Sequence, residues 1–94
     1  MDENGFRAEL TAAGYAGPEL VAREPNLFNA EHVHDFAVHL LLLDGELSIT
    51  ADGTTTTCRA GDTYRLAAGV PHTERYGPQG ARVLVGRRNA SDPG

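Results

Sequence analysis

The chain has a single cysteine, no long hydrophobic run and no concentration of basic charge, and each shortage excludes something. Cys58 alone cannot close an internal disulfide, which suits a reducing cytosol and leads us to expect a cytoplasmic protein. No base lies near it in sequence to activate a thiolate, so it reads as a small hydrophobe in a strand. The longest apolar run, Leu40 to Leu43, is far too short to cross a bilayer, and no membrane partner is expected. The opening residues, MDENGF, are acidic and polar, which is not the pattern of a signal peptide. The formal net charge is −5, and the nearest thing to a basic cluster is Arg82, Arg87 and Arg88. Neutralising phosphates needs a concentrated basic surface, so nucleic acid is excluded as a partner.

What is present suits one globular domain. A length of 94 residues supports one core but not two, and 40% hydrophobic with 22% charged residues is a folding rather than a disordered composition. Residues 4 to 13 (NGFRAELTAA) suggest a short helix, with Asn4 as cap, Phe6 and Leu10 on one face, and Gly14 ending it. From there the text turns to strands. ELVAR extends, EPN turns, and the segment from Glu31 runs into Asp44-Gly45, a hairpin signal. ELSIT alternates, Asp52-Gly53 turns, and the threonine-rich TTTTC fits a pleated surface. RAGD turns with Asp62 stabilising it, TYRL extends, HTERY extends, GPQG turns and ARVLVG closes the series. Short strands with Gly-rich turns predict an all-β fold, an antiparallel sandwich or small barrel. The organisation expected is a helix and lead-in over 1–19, a barrel over 20–88 and a tail over 89–94.

Three of the four histidines stand in "EHVHDFAVHLLLLDG". Side chains alternate across a strand, so His32, His34, Phe36, Val38, Leu40 and Leu42 share one face, apolar except at its first two members. That face should look inward. His39 falls on the other row with Leu41 and Leu43, unless a bulge flips the phase. This second row is apolar too and needs a cover, either the N-terminal helix or another subunit. The fourth histidine, His72, follows a loop containing Gly69 and Pro71 and starts a strand. A His-x-His pair with one distant histidine is the pattern of a mononuclear metal site. Glu74 and Tyr76 share the parity of His72, which points both into the same cavity. A carboxylate beside a metal can work as a general base, which makes Glu74 a candidate catalytic residue, with Tyr76 beside it on the same face as the second. Arg75 and Arg82 are expected outside.

These residues resemble two motifs of the cupins, and the chain is similar to a small single-domain member of the RmlC-like superfamily. The first motif matches at His32, His34 and Gly45, and the second at Gly61, Gly69 and His72, within "GDTYRLAAGVPH". Asn26, Ala67 and Tyr76 stand where the family has glycine, proline and asparagine. The family's glutamate ligand is also missing. Counting back from Gly45 puts its place at Val38, whereas the longer spacing after His34 puts it at His39. Parity favours Val38, which cannot ligate. The resemblance implies a jelly-roll β-barrel and a three-histidine site of His32, His34 and His72, with His39 as the lesser candidate for a fourth ligand. It implies a divalent transition metal, iron before nickel, zinc, copper or manganese, and pairing as a homodimer. The function implied is a metal-dependent enzyme of dioxygenase, isomerase or cyclase type acting on a small-molecule substrate. A non-catalytic sensing module is the alternative, and a metal-free relative is the third reading.

Overall fold

A computed structural model describes residues 1–89. One helix, α1 (Glu3–Ala12), precedes six strands: β1 (Ala16–Arg23), β2 (Phe28–His32), β3 (Phe36–Ala51), β4 (Thr54–Cys58), β5 (Thr63–Leu66) and β6 (His72–Asn89). All pairings are antiparallel. The two long strands, β3 and β6, pair with each other throughout, and each serves both halves of the barrel. Their Phe36–Leu42 and Ala81–Asn89 portions carry β5 on one side and β1 on the other. Their Leu47–Ala51 and His72–Tyr76 portions carry β4 and β2.

The switch between the halves corrects two sequence expectations. Asp44-Gly45 is not a hairpin, and GPQG is not a turn; both lie inside continuous strands as bulges. A type I′ hairpin needs positive φ at both central residues. Asp52 and Gly53 satisfy this at 52° and 76°, and the chain reverses there as expected. At Asp44-Gly45 only the glycine is in the left-handed region, at 83°. A Cβ at Gly45 would run into the carbonyl of Gly80, so the paired strands approach here at a separation only glycine allows. Across the bulge, the step from Gly45 to Leu47 is matched by the longer step from Ala81 back to Tyr76. The insertion flips the parity of both strands. Leu40 and Leu42 point inward before it on β3, and Leu47 and Ile49 after it. On β6 the inward row passes from Tyr76 to Ala81 and Val83.

Other boundaries differ more simply. The segment from Glu31 is not one strand but the end of β2, a short break, and β3. β1 begins before ELVAR, at Ala16, and β6 runs through Asn89, the first residue of the expected tail. The rest of that tail, 90–94, lies outside the described residues. Asp2, not Asn4, caps α1: its carboxylate accepts from the Gly5 N–H at 2.8 Å. Gly14 follows at φ 77°, as expected for the helix end.

α1 answers what covers the second apolar row. Phe6 and Leu10 are fully buried against Leu41 and Leu84 on the outer face of the β3–β6 pair. Burying each contributes about 1.5–3 kcal/mol. The inner cluster joins Val38, Leu40, Leu42, Leu47, Ile49 and Val83, and it includes Cys58. Burial pushes the Cys58 thiol up in pKa, in keeping with its reading as a small hydrophobe. Asp62 accepts from the Arg59 N–H at 2.9 Å and so closes its own turn, as expected. Among the described residues no helix is long and apolar enough to cross a membrane.

Candidate metal centre

Three of the four histidines converge. His32 ends β2, His34 stands in the connection to β3, and His72 opens β6 directly opposite His32 in the ladder. Ring centroids are 4.8 Å apart for His32 and His34, 4.3 Å for His32 and His72, and 5.2 Å for His34 and His72. One ligand nitrogen from each lies within 4.8 Å of the other two. Two atoms bound to one ion at about 2.1 Å can be at most about 4.2 Å apart, so a small closure lets the set share an ion.

The backbone orients two of the rings. Nδ1 of His32 is 2.7 Å from the Ala30 carbonyl oxygen, and Nδ1 of His72 is 3.0 Å from that of Val70. A carbonyl only accepts, so Nδ1 carries the hydrogen and Nε2 of the neutral ring offers a lone pair. Carbonyl-anchored imidazoles are the usual second shell of a histidine metal site. His34 stacks on Phe36, with centroids 4.7 Å and planes 17° apart. Burial holds the His34 pKa below the ordinary histidine value, and neighbouring His32 and His72 push it further down. The neutral imidazole is the ligating form. This donor set fits a divalent transition metal.

Glu74 and Tyr76 stand where parity put them. Glu74 is directly opposite Asn29, whose Nδ2 donates to Oε1 at 2.9 Å. Oε1 is 4.0 Å from Nε2 of His32, and Oε2 is 3.9 Å from Nε2 of His72. Tyr76 is buried; burial pushes its phenol up in pKa, and the Glu74 charge adds to the rise. His32, His34, Glu74 and Tyr76 line a cavity of about 470 Å³ whose apolar wall includes Val38 and Leu40.

His39 lies on the other side of the sheet. Its ring is 1% exposed, meets Phe6 edge-on at 4.9 Å between centroids, and has Nε2 3.6 Å from a Glu9 carboxylate oxygen. The parity of β3 holds through the break, so Val38 shares the cavity face and His39 does not. Arg75 lies over the Phe28 ring and Arg82 pairs with Asp44, both outside the cavity lining.

Sequence reasoning missed the three further polar side chains of the lining: Asn29, Arg23 and Arg87. A register shift between Asn29 and His32 hid the facing of Asn29. Arg87 was hidden by the parity flip at GPQG. Arg23 shares its row with Val21, which also lines the cavity, but ELVAR alone does not show which row turns inward.

Comparison with known proteins agrees with this fold. A family model described as the AraC-like ligand binding domain matches residues 20–84. The fold is similar to the cupin domain of Schizosaccharomyces pombe Cnp3, with TM-score 0.70, 12% identity, and coverage of 82% of this chain and 63% of that one. An RmlC-like cupin from Shewanella frigidimarina gives 0.64 at 21% identity, over 82% of this chain and 72% of that one. The DMSP lyase DddQ from Ruegeria pomeroyi gives 0.68 at 22%, over 80% of this chain but only 39% of that one. At such identities the likeness shows the fold alone. No curated protein sequence matches the chain. With more than half its length under the family model and a cupin barrel around the three histidines, the chain belongs to the AraC-like ligand binding domain family of cupin-like proteins.

Proposed function

We propose that the cavity is the site of a mononuclear metal-dependent enzyme acting on a small organic molecule. His32, His34 and His72 hold the ion, with iron favoured over nickel, zinc, copper or manganese. One observation carries the reading: three imidazole nitrogens within 4.8 Å of one another, beside a cavity large enough for a small ligand. When bound, a divalent ion on neutral imidazoles supplies Lewis acidity, open coordination positions and, for iron, redox chemistry. The rest falls to the chain. Val38, Leu40 and Leu47 exclude water from the hydrocarbon part of a ligand. The buried Tyr76 phenol stays protonated and donates a hydrogen bond. Glu74, oriented by Asn29, is placed to accept a proton. Arg23 on the wall favours a substrate with an anionic or strongly polar end, whereas Arg87 is already paired with Glu19 at 3.0 Å. Dioxygenation, isomerisation and cyclisation are the reaction classes that this arrangement suits.

The match to a ligand binding domain favours a second reading, a non-catalytic sensing module. Elemental analysis of protein purified without a histidine tag comes first. A panel of small organic acids and carbonyl compounds, followed for oxygen uptake and product, then separates the two. Turnover supports the enzyme, whereas saturable binding without turnover supports the sensor. The expected homodimer is proposed to pair through the face of β1 that carries Leu20, exposed at 56%. A dimer mass by light scattering, reduced to monomer by Leu20→Glu, is the expected outcome.

A further inference from the structure

The carboxylate of Glu74 faces the Nε2 atoms of two of the three clustered histidines. Because the Nδ1 hydrogens of His32 and His72 go to the Ala30 and Val70 carbonyls, both Nε2 atoms present lone pairs when the rings are neutral. The two oxygens of Glu74 stand 4.0 and 3.9 Å from them. Those distances are too long for direct hydrogen bonds, and a cation in the gap would be held by nitrogen and oxygen alike. These separations are just under the roughly 4.2 Å that two ligands at about 2.1 Å can span around one ion. Asn29 holds the carboxylate in place with its 2.9 Å hydrogen bond, and the Glu74 side chain is only 18% exposed. A carboxylate that far out of water is costly without a compensating charge.

We infer that Glu74 is the fourth protein ligand of the metal held by His32, His34 and His72, supplied from β6 two residues beyond His72. Its oxygen brings one negative charge to an otherwise neutral donor set, and in the loaded protein this replaces its part as a proton acceptor. Asn29 is then a positioning residue acting through Glu74. The inference rests on the proposed metal site and adds a ligand to it.

The test uses the full untagged chain, stripped with a chelator and titrated with Co2+, whose visible absorption reports the ligand set. The wild type should take up one Co2+ per chain. Glu74→Gln keeps the shape and the Asn29 contact but removes the charge, and should bind Co2+ at least tenfold more weakly with altered visible bands. Asn29→Leu should give a smaller loss in the same direction. Circular dichroism of the metal-free variants confirms that they fold. Glu74→Gln with the parent's affinity and spectrum, while His34→Ala loses the ion, would overturn the ligand role and leave the histidine site standing. A wild type that takes up no Co2+ would overturn both.

Discussion

The backbone N–H of Gly69 donates to the carbonyl of His34 at 2.8 Å, tying the loop before His72 to the connection that carries His34. Residues far apart in sequence are thereby held at one site. Gly69 adopts φ 79°, and a Cβ there would meet nothing within 4 Å. Gly69→Ala should therefore cost only the left-handed strain, about 1–2 kcal/mol, with a weaker metal affinity because the loop shifts. Urea denaturation and a cobalt titration check the two halves. An unchanged affinity would mean that the loop does not position the histidines.

His39 links α1 to the sheet and carries a pH dependence. Burial holds its imidazole below the ordinary pKa, Arg65 adds to that, and Glu9 opposes it. The unfolded chain therefore binds this proton more readily than the fold does. The contribution is fully present above the unfolded value of about 6.5 and is lost as pH falls below it. Nδ1 of His39 is buried without a hydrogen-bond partner among the described residues, so a neutral apolar replacement is tolerable. The melting temperature of metal-free His39→Leu should fall less than the parent's between about pH 7 and pH 5. Equal slopes would remove His39 from the acid response.

Leu10 anchors the helix over the outer apolar row at 1% exposure. Leu10→Ala should cost about 2–5 kcal/mol by denaturant titration while leaving metal uptake at one ion per chain. Loss of metal together with stability would show that the two faces of the sheet are not independent.

Why the site was more legible than the fold around it follows from period and reach. His32, His34, Phe36 and Val38 keep the two-residue alternation across the break before β3, so their common face was readable locally. Glu74 and Tyr76 lie within one short stretch after His72, before any bulge. Asp44-Gly45 and Asp52-Gly53 have the same letters, yet only the second turns. The difference lies in the close approach of Gly45 to Gly80, a contact between paired strands far apart in sequence that no local pattern records. The parity flip that follows turned Arg87 inward unseen, and the shift in β2 did the same for Asn29. Glu74 was read as facing the cavity; its closeness to two Nε2 atoms needed coordinates.

The most direct measurement of the central claim is metal content by elemental analysis, after stripping and reloading, for four untagged proteins. The parent and His39→Ala should each retain close to one divalent ion per chain. His34→Ala should retain little, and the combined His32→Ala, His34→Ala, His72→Ala variant essentially none. Equal loss in His34→Ala and His39→Ala, or a triple variant that still holds the parent's metal, would contradict a centre built on His32, His34 and His72.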